Sequence, residues 1–257
     1  MTKETRIIMG MPVTMEIAGV EPASARGSGV VREAIEKVFE YFLWVDEKFS
    51  TFKNTSEITA INEGRLSIEN ASKEMKEVFL LCDKTKRETG GCFDMINNEG
   101  EYDPSGLVKG WAIFNAAKLL ESLGFEDFYV EAGGDIQVQG NSGREAGWKT
   151  GIRNPFNAKE IVKVVTLKND EGIATSGNYE RGAHIYNPKN RTKELVEIVS
   201  LTVIGPNIYE ADRFATAAFA MQGQGIYFIE KLPGFEGYAI NNQGIATMTS
   251  GFEKYTT

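Results

Sequence analysis

The order of apolar periods along this chain predicts an α+β fold. Three observations lead there. Segments with a period of two and segments with helical spacing come in blocks, not in the strict alternation of a doubly wound α/β sheet. The 257 residues are 42% hydrophobic and 25% charged, a globular composition long enough to bury a sizeable core. No interior stretch is poor enough in apolar residues to mark a boundary, so residues 1–257 read as one domain, in one lobe or two.

Residues 5–18 carry β-branched residues on either side of a Gly-Met-Pro turn and predict two short strands. From Val30 to Phe49, Val31, Ile35, Val38, Phe42 and Val45 recur at helical spacing, with Arg32, Glu33, Glu36 and Lys37 facing away. Asn54 followed by Glu57 reads as a capping box for a short helix through Ile61, and Ser72 opens another that Gly90-Gly91 ends. A fourth helix runs from Leu107 to Leu123 and stops at Gly124. FYVEAGGDIQVQG then alternates like a strand broken by a Gly-Gly pair. The second half is richer in strands, in WKTGIRN, EIVKVVTLKN and VSLTVIGP, with ATSG as a turn. A long helix follows from about Glu210 to Lys231.

Lys plus Arg is 28 against 36 for Asp plus Glu, a net charge of −8, which argues against a nucleic-acid or anionic-membrane partner. An anionic ligand would have to be held locally, by a metal ion, a helix N-terminus or a placed lysine. Cys82 and Cys92 are too far apart for a CxxC pair, and with one histidine, His184, they make no zinc site. No apolar run approaches the roughly 20 residues that span a bilayer, and the N-terminus has no signal-peptide core, so a cytoplasmic protein is expected. Walker-type GxxxxGK[ST], HExxH and GxSxG strings are absent. Gly27-Ser28-Gly29 fails as a dinucleotide loop because Arg32 stands where a small residue is needed.

Four aspartates sit beside turn or small residues: Asp94 in GGCFD, Asp103 in YDPSGLVKG, Asp135 in EAGGD and Asp212 in EADRFAT. Brought together they would suit a hard divalent cation; singly they are ordinary turn chemistry. Asp212 and Thr216, four apart near a helix start, point along one face and could share a cation, or could cap the helix and bond back to its backbone. Lys109 near a helix start could hold a phosphate together with the free N–H groups of the first turn, or be solvated. His184 is the one side chain whose unperturbed pKa suits proton transfer near neutrality, and Thr175-Ser176-Gly177 is a polar turn that could donate to phosphate.

In order, MGMP, FSTFKNTSEITAIN, TGGCFD, DPSGLVKGWA, EAGGDIQVQG, GIATSGNYERG, HIYNP and EADRFATAAFAM resemble the FAD:protein FMN transferase (ApbE) family, from Met9 to Met221. The resemblance implies a compact arrangement of mixed sheets with flanking helices, similar to a T-fold. It also implies an enzyme that binds FAD and Mg²⁺, splits the pyrophosphate, attaches FMN through a phosphoester to a Ser or Thr of an acceptor flavoprotein and releases AMP. Block by block, it implies flavin or adenine contacts from Met9 and Phe52. FAD-holding roles fall on Cys92, Phe93 and Asp94, on Asp103 and Lys109, on Thr175, Ser176 and Gly177, and on Tyr186 with Ile185 beside His184. It implies a metal site from the Gly106 carbonyl, Asp212 and Thr216, with His184 and Asp212 as catalytic groups. The chain departs from the family pattern at Met11, where Thr is usual, at Asn187, where Asp is usual, at Ala183, where the histidine is often doubled, and at Ala215. Two alternatives keep the ligand but change the outcome: an FAD pyrophosphatase that uses water, and an FAD-binding protein without chemistry. A monomer or homodimer without stable membrane insertion is expected.

Overall fold

The structure, a computed structural model, describes residues 1–19, 25–143, 147–178, 185–192 and 194–256. Its centre is an eight-stranded antiparallel sheet in the order β1-β2-β3-β4-β7-β8-β9-β10. The strands are β1 (Thr2–Ile8), β2 (Met11–Ile17), β3 (Phe128–Ala132), β4 (Asp135–Gln139), β7 (Gly172–Gly177), β8 (Ile198–Gly205), β9 (Glu236–Asn241) and β10 (Ala246–Met248). A separate hairpin pairs β5 (Trp148–Asn154) with β6 (Asn157–Leu167). The blocks of strands and helices expected of an α+β chain are therefore present.

The period-two pattern gives the central sheet two apolar faces. Phe128, Val130 and Ala132 of β3, with Leu201 and Val203 of β8, join the large core beneath α1 (Ala25–Phe49), α3 (Lys73–Glu88), α4 (Ser105–Ser122) and α5 (Ile208–Ala220). Val138 of β4 and Ile204 of β8 instead join a smaller core under the β5-β6 hairpin, with Trp148, Leu167 and Phe252. Ile8 pairs with Met11 across a two-residue turn in which Met9 and Gly10 both have positive φ, 56° and 71°. Two left-handed residues in succession match the twist of a tight hairpin, and Met9 adopts the conformation despite its side chain.

Several boundaries differ from the sequence reading. The short helix α2 (Glu57–Asn62) is capped by Ser56, whose side chain accepts from the Thr59 N–H, and not by Asn54. Thr175, Ser176 and Gly177 are the end of strand β7, paired with Thr202, Leu201 and Ser200 of β8, and not a turn. The helix expected from Glu210 to Lys231 is two: α5 ends at Ala220 and α6 (Gly225–Glu230) follows after a short 3-10 turn. Gly225 packs so closely on the Ala218 carbonyl that a Cβ there would lie 2.0 Å from its oxygen, which fixes the bend. No described helix is long and apolar enough to cross a membrane.

Candidate active site

Helix α5 is placed by contacts on three sides, and that placement builds the site. At its start the Asn207 side chain accepts from the Glu210 N–H at 2.9 Å, and the Ile208 N–H donates to Gln137 Oε1 of β4 at 2.7 Å. Both satisfy first-turn donors that a helix cannot satisfy itself. Underneath, Gly172 of β7 lets the helix start lie against the sheet: a Cβ there would stand 2.1 Å from the Ile208 nitrogen. On the flank, Gly110 of α4 admits Asp212, since a Cβ at Gly110 would come within 2.6 Å of the Asp212 Cβ. The Gly110 N–H instead donates to Asp212 Oδ2 at 2.7 Å.

The Asp212 carboxylate, 3% exposed, belongs to a buried ion cluster. Lys109 of α4 lies 3.3 Å from Asp212 Oδ1 and in direct ion-pair contact with Asp135 Oδ2 of β4. The other oxygen of Asp135 accepts the Thr175 N–H at 3.0 Å, and the Thr175 hydroxyl bonds that of Thr202 at 2.8 Å. Burial pushes the Asp212 carboxyl well above the usual carboxylate range; Lys109 pulls it down, and the nearby Asp135 charge adds to the rise. One ammonium thus serves two buried acids at the floor of the site.

One helical turn beyond Asp212, the Thr216 hydroxyl donates to the Gly106 carbonyl of α4 at 3.2 Å. Gly106 is wedged between Phe93 and Thr216, each within 3.2 Å of where its Cβ would be. Carboxylate, hydroxyl and carbonyl are all hard oxygen donors, the set that suits a small divalent cation. Among the described residues no group of three or more His, Cys, Asp or Glu side chains is arranged to hold a metal. An ion here would therefore complete its shell from water or from the ligand's own oxygens, as Mg²⁺ does at phosphate sites.

These groups face a cavity of about 140 Å³. The segment between α3 and α4 contributes Cys92, Phe93, Asp94 and Asp103; α4 contributes Gly106 and Lys109; β7 contributes Thr175, Ser176 and Gly177. Tyr186, Asp212 and Thr216 complete the set, so the residues singled out in the sequence converge with four exceptions. Met9 and Phe52 are not in its lining, and Phe52 is 95% exposed. His184 lies outside the described residues. The cavity also takes in Ser105 and Gly133, which sequence reasoning passed over, while Asp135, the fourth exception, is absent from the lining and pairs with Lys109. β4 alternates Asp135 and Gln137 with Ile136 and Val138, so both polar residues share one face.

The first turn of α4 differs from the expectation of free donors. Asp103 Oδ1 accepts the Ser105 N–H at 3.0 Å, and the Pro104 carbonyl accepts those of Leu107 and Val108 at 3.0 Å each. Lys109 is left as the main positive group facing the cavity. Asp94 is likewise occupied, by the Ile96 N–H at 3.1 Å and the Lys86 ammonium at 2.7 Å.

Comparisons with known proteins agree with this architecture. The ApbE protein of Thermotoga maritima superposes with a TM-score of 0.83 at 19% identity, over 100% of this chain and 99% of its own. The flavin transferase ApbE of Vibrio cholerae gives 0.81 at 20% identity, over 99% and 98%. In sequence, the FAD:protein FMN transferase of Escherichia coli K12 is 28% identical over 150 residues, 55% of this chain and 43% of the relative. That of Vibrio cholerae is 32% identical over 127 residues, 46% and 38%. The chain thus matches less than half the length of these curated relatives. The model of the ApbE family matches residues 9–99 and 96–239, most of the sequence and every element of the site, and the chain belongs to that family.

Proposed function

We propose that this protein is a Mg²⁺-dependent FAD:protein FMN transferase, which moves FMN from FAD to a Ser or Thr hydroxyl of an acceptor flavoprotein and releases AMP. The observation that carries the reading is the buried cluster of Lys109, Asp135 and Asp212, set one helical turn from the paired oxygens of Thr216 and Gly106. A binding protein for a neutral ligand has no use for so costly an arrangement of buried charge. The names of the sequence relatives point the same way.

Asp212, Thr216 and the Gly106 carbonyl would hold the Mg²⁺, which when bound neutralises charge on the pyrophosphate oxygens. Lys109 would bind those oxygens as well, and Asp135 holds its ammonium in ion-pair contact. A cavity of about 140 Å³ is far below the 300–1,000 Å³ of common ligand sites, so it encloses the pyrophosphate while the ring systems lie along the surface beyond it. Met9 and Phe52 would then meet a ring outside the cavity. The acceptor hydroxyl attacks the FMN phosphorus, the bond to AMP breaks as the new phosphoester forms, and the hydroxyl proton passes to a base, the role we assign to His184.

The test is direct. Protein incubated with FAD, Mg²⁺ and a candidate acceptor should add one FMN mass to a single Ser or Thr of that acceptor. Asp212→Ala, in a fold unchanged by circular dichroism, should lose this transfer by about 10²-fold or more. Undiminished transfer by that variant would refute the assignment, and AMP release without acceptor modification would instead identify a hydrolase.

A further inference from the structure

Helix α5 presents Asp212 to the cavity on one side, and the next residue, Arg213, points away from it into the protein. Arg213 is 3% exposed and fully engaged. Its Nε donates to Glu210 Oε2 at 2.7 Å and its Nη1 to Glu88 Oε2 at 2.5 Å, while the guanidinium lies 3.9 Å from the Phe214 ring centroid. Neither Glu210 nor Glu88 lines the cavity.

A third contact leads back to the site. Arg213 Nη1 donates to the Thr85 hydroxyl at 3.3 Å. The Thr85 carbonyl accepts the Thr89 hydroxyl at 2.8 Å, and that hydroxyl accepts the Phe93 N–H at 3.2 Å. Thr85 and Thr89 are both buried and sit in the last turn and cap of α3, from which the Gly90-Gly91-Cys92-Phe93 segment departs. Phe93 and Asp212 both line the cavity, with Gly106 wedged between Phe93 and Thr216 of the same helix as Asp212. A relay of three hydrogen bonds therefore ties the back of the Asp212 helix to the amide of Phe93, a second part of the cavity lining.

We propose that Arg213 is a positioning residue that sets the spacing between these two parts of the lining and so the fit of the pyrophosphate. A buried cation is a poor choice for stability alone, because well-packed apolar residues of similar volume do as well or better. A planar fork that bonds two helices at once is suited to fixing a distance. The proposal rests on the reading of the cavity as an FAD site, and one arm of its test does not.

Three variants test it: Arg213→Lys, Arg213→Met, and Arg213→Met with Glu88→Gln and Glu210→Gln, which removes the acids left without a partner. Each is followed by melting temperature, by FAD affinity from flavin fluorescence with Mg²⁺ present, and by hydrogen exchange of the Phe93 amide. The triple variant should melt within a few degrees of the parent, bind FAD about tenfold more weakly and exchange the Phe93 amide faster. Arg213→Lys should recover part of both losses. Parental FAD affinity and parental Phe93 exchange in the triple variant would overturn the proposal. If the triple variant fails to fold, an Arg213→Lys protein identical to the parent in all three measurements overturns it equally. A parent that binds no FAD would instead defeat the functional reading, while the exchange arm still decides whether Arg213 holds the Phe93 part of the lining.

Discussion

The rim and the floor of the cavity both contain two aspartates, and they use them in opposite ways. At the rim, Asp94 and Asp103 accept backbone N–H groups two residues ahead, and Asp94 also pairs with Lys86, whose side chain is 47% exposed. These are turn-forming acids, only partly buried. At the floor, Asp135 and Asp212 are 1% and 3% exposed, come from elements 77 residues apart in number, and share Lys109. The rim acids shape the chain locally. The floor acids are brought together by the fold at an energetic cost, which is why we assign the function to them.

That contrast can be broken at its strongest point by Lys109→Met. Two buried carboxylates would then face each other without a cation, and the variant should lose about 3–5 kcal/mol of stability in urea unfolding. It should also lose about 10²-fold in FMN transfer. A mild loss on both counts would mean that water reaches the floor. Gly110→Ala asks the same question sterically. The added methyl meets Asp212, so about 1–3 kcal/mol of stability and most of the transfer activity should go, with charge unchanged. Asp94→Asn probes the rim and should be the weakest: under about 1 kcal/mol in stability and within about fivefold in transfer. A large effect there would move the chemistry outward and erase the distinction.

The same contrast explains what the sequence could reveal. Helices α1, α3 and α4 are legible because Val31 to Val45, the Ser72 cap and the Gly124 stop are local signals, set by periodicity and capping. Most cavity residues are legible because they fall in ordered blocks. The TSG segment reads as a turn because its residues are small and polar; its strand character comes from pairing with β8, which lies beyond a local window. Strands β9 and β10 went unpredicted: Gly237 and Asn241 fall within β9, β10 is three residues long, and their pairing comes from β8 on β9 and from β9 on β10. The partnership of Lys109 with Asp135, and that of Arg213 with Glu88, are products of tertiary folding that no spacing rule encodes.

Cys92 lines the cavity at 9% exposure, whereas Cys82 is 1% exposed in the core, where burial pushes its thiol far up. The thiolate is the reactive form, so alkylation of Cys82 is suppressed, while any alkylation of Cys92 must take place within the cavity lining. The protein thereby comes with a built-in footprinting label: the rate at which one thiol is modified reads out how much of the cavity is occupied, with no engineered probe.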